Sequence, residues 1–149
     1  MIRGKDYIGV GVGAMIINQD QKMFLSLRGK EVRNESGTWE FPGGGVNFNE
    51  ALVEAITREI KEEYDFEIQV MELLQVADHI IREEKQHWVS PTFLCKVVSG
   101  EPKIMEPEKC AAIGWYDIDE MKKITLSIIT QSDIQVFNEK YQGEIPNYY

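Results

Sequence analysis

The sequence predicts one layered domain of mixed α/β (α+β) class over residues 1–149. Three observations carry that expectation. Several Val- and Ile-rich stretches are punctuated by glycine and turn residues, a strand signal. One central segment places apolar residues at helical spacing, and a second does so near the end. Strands around a central helix, with a further helix late in the chain, pack as layers about a common core. At 149 residues the chain is long enough to bury one.

The elements follow in order. Ile8 to Asn18 interleaves glycine with Val and Ile and reads as a strand with close backbone approach. Gln19-Asp20-Gln21 is a polar turn. Met23 to Arg28 completes a hairpin, with Met23, Leu25 and Leu27 on one face and Phe24, Ser26 and Arg28 on the other. Gly29 to Gly37 is a charged loop, and Thr38 to Phe41 is a short extended piece before a Pro-Gly-Gly-Gly turn. Asn47 or Asn49 can cap the next helix, and Asn47 with Glu50 has capping-box spacing. That helix is expected over Phe48 to Tyr64, with Leu52, Val53, Ile56 and Ile60 as its apolar face. Phe66 to His79 and His87 to Val98 read as longer strands, the second at a sheet edge or bulge because of Pro91. Gly114 to Asp117 is a short strand. Asp117 to Lys123 and Ser127 to Tyr141 read as helices, and the tail from Gln142 as irregular.

Composition narrows the function classes. The net charge of -9 argues against a nucleic-acid polymer as partner, since phosphate-backbone binding uses a basic patch. A small anionic substrate remains open, because a metal can offset its charge. The longest early apolar run, Tyr7 to Ile17, is too short and glycine-broken to span a membrane. Cys95 and Cys110 lack metal-ligand spacing and read as a reduced pair, so a cytoplasmic protein is expected.

The chemistry concentrates between Gly44 and Phe66, GGVNFNEALVEAITREIKEEYDF. Glu59, Glu62 and Glu63 stand at helical spacing i, i+3, i+4 and share one face. Like charges so placed repel, and a divalent cation reverses that effect. Hard cations such as Mg²⁺ take carboxylate oxygens together with substrate phosphates. Glu63 projects at the edge of the apolar face, where an unpaired carboxylate is costly. Glu54 is placed to pair with Arg58 at i, i+4. Upstream glycines let a ligand approach the backbone.

Gly44, five residues, Glu50, seven residues, Arg58-Glu59-Ile60-Lys61-Glu62-Glu63, one residue, then Asp65-Phe66 resembles the Nudix box. The one departure is Asp65, where the family pattern has glycine. Asp tolerates the left-handed conformation at a helix end, so the change is expected to cost some stability and not the chemistry. The lead-in Gly37-Thr38-Trp39-Glu40-Phe41-Pro42-Gly43-Gly44, the run Glu106-Pro107-Glu108-Lys109-Cys110, Trp115 and Asp117-Ile118-Asp119-Glu120-Met121 extend the likeness over Gly9 to Met121. Within the family the chain looks most like MutT-type nucleoside triphosphate pyrophosphohydrolases, including the human member that hydrolyses thiopurine nucleotides.

The resemblance implies a Nudix-type α/β/α sandwich with a mixed central sheet, a homodimer, and Mg²⁺ as cofactor with Mn²⁺ able to substitute. It implies Glu59 and Glu63 as main metal ligands, Glu62 directly or through water, and the Gly43 carbonyl. Arg58 would orient the carboxylates and Glu50 would hold Arg58 or the loop. The expected reaction is hydrolysis of a nucleoside triphosphate, modified or oxidised ones included, to monophosphate and pyrophosphate. ADP-ribose or nucleotide-sugar hydrolysis, and a non-catalytic nucleotide sensor, stay open. The general base is Glu106, Glu108, Glu62 or Glu63. Among Arg28, Lys30 and Arg33, Arg28 at the strand end is the first choice for the phosphates, beside Gly44. Trp88 is the chosen stacking residue, with Trp39, His87 and Phe93 also aromatic candidates and Trp39 and Trp115 more at home in a core.

Overall fold

The computed structural model describes residues 1–32 and 35–149. Arg33, one of the basic candidates, lies outside them. The described elements are strands β1 (Gly9–Ile17), β2 (Met23–Arg28), β3 (Trp39–Glu40) and β4 (Gly43–Gly45), helix α1 (Leu52–Tyr64), β5 (Glu67–Ile81), a 3₁₀ turn at Arg82–Glu84, β6 (Gln86–Ser99), β7 (Cys110–Tyr116), and helices α2 (Ile118–Met121) and α3 (Ile128–Tyr141).

The strands form one mixed sheet, in order β3-β2-β1-β6-β5, with β4 on β1 and β7 on β2. The β1–β6 pair is parallel and the other pairs are antiparallel. Strands β1 and β2 meet at Ile17↔Met23 and then splay apart. Into the notch run β3, paired to β2 through Ser26↔Glu40, and β4, paired to β1 through Val12↔Gly44. This notch positions the site.

Period-2 alternation divides the core into two layers. Val12, Ala14, Ile16 and Phe24 face α1 and pack with Ala55, Ile56, Ile60 and Tyr64. Met15, Ile17, Met23 and Leu25 point the other way, onto Met121 and Phe137. The result is the expected α/β/α sandwich. Each fully buried side chain of this size contributes roughly 1.5–3 kcal/mol relative to exposure. The tail is irregular but docked. The Tyr148 hydroxyl donates to Glu72 at 2.9 Å, and the Tyr149 hydroxyl bonds the Ile17 carbonyl.

Several expectations are corrected. The glycine run is not a bare turn, because Gly43–Gly45 pairs as a strand. α1 begins at Leu52, with Ala51 as N-cap and no side-chain cap bond. Asn47 and Glu50 instead close a separate turn, the Asn47 N–H donating to Glu50 Oε1 at 3.0 Å. Leu52 and Val53 are exposed, and Ala55 and Tyr64 complete the buried face. Pro91 sits in an interior strand, between β1 and β5, and not at an edge; of the two alternatives the bulge is the nearer, since the β5–β6 register shifts between Leu73 and Gln75, beside the Val76↔Pro91 pair. The β1–β6 ladder passes from Val10↔Val89 to Gly13↔Thr92, skipping the proline that cannot donate. Glu54 is not Arg58's partner, because the guanidinium turns to Glu50, Glu59 and Glu62. Asp65 behaves as expected: it caps α1 at φ 56°, and its N–H donates to the Lys61 carbonyl. Both cysteines are buried and free. No described helix is long and apolar enough to cross a membrane.

Candidate active site

Arg58, on α1, organises the acidic face. Its Nε donates to Glu50 Oε2 at 2.6 Å and its Nη2 to Glu50 Oε1 at 2.9 Å, a two-pronged grip. Nη1 reaches Glu59 Oε1 at 3.0 Å and Glu62 Oε2 at 3.2 Å, and Nη2 also bonds the Gly45 carbonyl at 3.1 Å. The i, i+4 spacing brings Arg58 to Glu62, and its chain neighbour Glu59 bonds the same nitrogen; the turn before α1 brings Glu50. Hydrogen bonding from Arg58 holds the Glu50 carboxyl down at about 2.

Glu59 reaches back over the glycine strand. A Cβ built on Gly44 would lie 2.2 Å from the Glu59 carboxyl carbon, so only glycine leaves room for that carboxylate. A Cβ on Gly43 would lie 2.1 Å from the Val12 carbonyl oxygen. The two glycines therefore serve different ends, Gly43 the strand pairing and Gly44 the acidic side chain.

Glu63, one turn beyond Glu59, faces a cavity of about 510 Å³ with Gly43, Arg28, Glu40, Glu106, Glu108 and Lys109 on its wall. Burial pushes the Glu63 carboxyl up to about 8, and the neighbouring Glu59 and Glu106 carboxylates add to the effect. Glu106 forms an ion pair with Lys109 at 3.7 Å. Among the described residues no three acidic, His or Cys side chains already form a closed cation cage. The donor set nonetheless fits a hard divalent cation: it is all oxygen, Glu59 and Glu63 adjoin one another, and their mutual repulsion is what a cation relieves.

A second cavity of about 370 Å³ lies across the notch. Arg28, Glu40 and Gly43 line both, and so form a shared wall. Arg28 Nη1 donates to both oxygens of Glu40 at 3.0 Å. Burial raises the Glu40 carboxyl even against that partner. The far wall comprises Trp88 from β6, His79 and Ile81 from β5, and Ile129, Thr130 and Asp133 from α3. Asp133 is buried, accepts from Gln75 Nε2 at 2.7 Å and Thr92 Oγ1 at 3.2 Å, and is pushed by burial to about 6.

Most of the sequence-chosen residues converge. Glu63, Gly43, Arg28, Glu106 and Glu108 share the first cavity, Gly44 and Trp88 line the second, and Glu59 and Glu62 meet through Arg58. Other candidates do not converge. Lys30 is exposed and Phe93 is buried in the core, while His87 lies on a different surface, bonded to Asp78 at 3.1 Å. Trp39 and Trp115 pack in the core, against Tyr116 and Phe24 respectively. The sequence reading gave Asp133 no role. Its signal was present, as a carboxylate within the buried stripe of Thr130 and Phe137.

The NUDIX domain pattern matches residues 8–134. An RNA pyrophosphohydrolase of Pelagibacter ubique is 35% identical over 133 residues, covering 78% of this chain and 80% of the relative. An ADP-ribose pyrophosphatase of Methanocaldococcus jannaschii is 33% identical over 111 residues, or 73% of this chain and 62% of the relative. The chain spans 37% of a nudix hydrolase of Caenorhabditis elegans at 26% identity. Among solved structures, the MutT NUDIX hydrolase of Burkholderia pseudomallei superposes with a TM-score of 0.80 at 35% identity, covering 87% of this chain and 98% of that one. With its acidic helix face, its glycine strand and these relatives in agreement, the chain belongs to the NUDIX family and is MutT-like within it.

Proposed function

We propose that the protein is a Mg²⁺-dependent nucleoside triphosphate pyrophosphohydrolase that releases a nucleoside monophosphate and pyrophosphate. The carrying observation is the acidic cavity around Glu63, which adjoins a second, aromatic-walled cavity where Arg28, Glu40 and Gly43 line both. Such a pair suits a substrate with a phosphate chain at one end and a flat group at the other. Glu59 and Glu63, with Glu62 and the Gly43 carbonyl, would hold the cation, and Mn²⁺ would substitute. When bound, the cation neutralises phosphate charge and favours ionisation of a water.

The chain's own residues take the remaining roles. Arg58 fixes the orientation of Glu59 and Glu62, as outer partners of metal ligands do. Glu106 takes the proton of the attacking water, being near enough to Glu63 to raise its proton affinity. Glu108, on the same wall, is the alternative base. The water oxygen bonds to phosphorus as the bond to the departing phosphate oxygen breaks. Arg28 meets the phosphates, and Trp88 stacks on the base. A homodimer is proposed from the family resemblance, and light scattering would test it.

A second reading, hydrolysis of ADP-ribose or a nucleotide sugar, is favoured by the Methanocaldococcus jannaschii relative named for ADP-ribose. A panel of normal and oxidised dNTPs, ADP-ribose and UDP-sugars, assayed with Mg²⁺ and Mn²⁺ and read by product identity, separates the two. Pyrophosphate release from a triphosphate supports the first reading. Turnover of ADP-ribose alone supports the second, and tight binding without turnover overturns both.

A further inference from the structure

The N-terminal residues fold against Trp88. The Gly4 N–H donates to the Tyr7 carbonyl at 2.8 Å, and the His87 N–H donates to the Gly4 carbonyl at 2.8 Å. A Cβ on Gly4 or on Gly9 would lie 2.4 or 2.5 Å from indole atoms, so the backbone there is in direct contact with the ring. The Arg3 guanidinium lies over the indole, 5.8 Å from its centroid. The same guanidinium donates from Nη1 to the Val46 carbonyl, just beyond the glycine strand. A Cβ on Gly45 would come within 2.5 Å of Arg3 Nη2. Arg58 meanwhile holds the preceding carbonyl, that of Gly45. Two arginines from separate elements thus grip consecutive carbonyls, one tied to the acidic face and one to the far cavity's aromatic wall.

We propose that Arg3 is a positioning residue, which fixes the Trp88 wall of the second cavity relative to the glycine strand that fronts the acidic one. A planar guanidinium can lie on a ring and donate in plane at the same time; a lysine can do either but lacks the fork. Among the described residues no hydrogen bond or ion pair joins Arg3 to Arg58, Glu50, Glu59 or Glu62, so kcat is expected to survive the loss of Arg3. The kinetic arm of the test rests on the nucleotide-hydrolase reading, and the spectroscopic arm does not.

Arg3→Ala and Arg3→Lys would be prepared with 5-fluorotryptophan, the Trp88 ¹⁹F resonance being assigned through Trp88→Phe. Arg3→Ala is expected to shift and broaden the Trp88 resonance while those of Trp39 and Trp115 stay in place. It is expected to raise KM roughly 3- to 10-fold with kcat within about 2-fold, the scale of a lost cation–aromatic contact. Arg3→Lys should restore part of both effects. An unmoved Trp88 resonance overturns the inference. So does a fall in thermal midpoint with KM unchanged, which would make Arg3 a clamp for the N-terminal turn only. If the unaltered protein turns over no nucleotide, the hydrolase reading fails while the ¹⁹F result still decides whether Arg3 holds Trp88.

Discussion

Arg58 grips Glu50 with two nitrogens, at 2.6 and 2.9 Å, across the turn that leads into α1. The grip leaves Nη1 free to hold Glu59 and Glu62 in place. Lysine has no fork, and its single compact ammonium cannot grip Glu50 with two parallel bonds while also spanning to Glu59 and Glu62. Arg58→Lys is therefore expected to lower kcat roughly 10- to 100-fold, the usual scale for a residue behind metal ligands. The Mg²⁺ concentration for half-maximal rate should rise with it, and the circular dichroism spectrum should not change. Full activity in Arg58→Lys would remove the positioning role.

Glu63 carries opposite consequences for activity and stability. Burial and its acidic neighbours raise its carboxyl to about 8. A raised carboxyl binds its proton more tightly folded than unfolded, so stability falls as pH rises from the ordinary carboxylate range through that value. Glu63→Gln removes this cost. The variant is expected to lose roughly 10²- to 10⁴-fold in kcat. In EDTA at pH 8 it should nevertheless melt at a higher temperature than the unaltered protein. A lower melting point at that pH would contradict the electrostatic account.

Gly44→Ala and Gly43→Ala should fail differently. At Gly44 the new methyl meets the end of the Glu59 side chain, which can swing aside. Folding is expected to survive, and activity to drop at least about 10-fold, because the carboxylate proposed as a cation ligand is displaced. At Gly43 it meets the Val12 backbone carbonyl, which cannot move without breaking the β1–β4 pairing. Soluble yield and thermal midpoint should fall there first. Equal behaviour of the two variants in both assays would refute the distinction.

Asp133 should leave a signature in stability against pH. Its carboxyl stands at about 6, so the folded state gives up stability as pH rises from near 4 to above 6. Asp133→Asn is expected to flatten that segment, by roughly 1–3 kcal/mol between its ends. Urea denaturation at pH 4.5 and pH 7 measures it. Parallel losses in the two proteins would assign the dependence to other groups.

Elements set by local pattern were legible in the sequence, and those set by distant packing were not. Met23–Arg28 alternates cleanly, and its bounds agree with the strand found. The acidic stripe needs only the helical period, so Glu59, Glu62 and Glu63 could be placed before any fold was known. Gly43–Gly45 could not be read as a strand, because its pairing with β1 depends on the notch left when β2 diverges. Leu52 and Val53 have the right spacing for a core face, yet both are exposed and the buried face of α1 begins at Ala55. The second cavity gathers Arg28, Trp88 and Asp133 from elements far apart in the chain. Only Trp88 and Arg28 had a chemistry that singled them out.

The partition of Arg28, Glu40 and Gly43 between the two cavities has a consequence for redesign and divergence. Side chains at His79, Ile81 and Ile129 border one chamber alone, so libraries at these positions are expected to alter what is admitted while sparing the residues proposed for water attack. Changes at Arg28 or Glu40 would act on both chambers at once and couple selectivity to rate. New substrates should thus be reached by many small steps on the far wall, whereas the partition itself should change only when several residues change together.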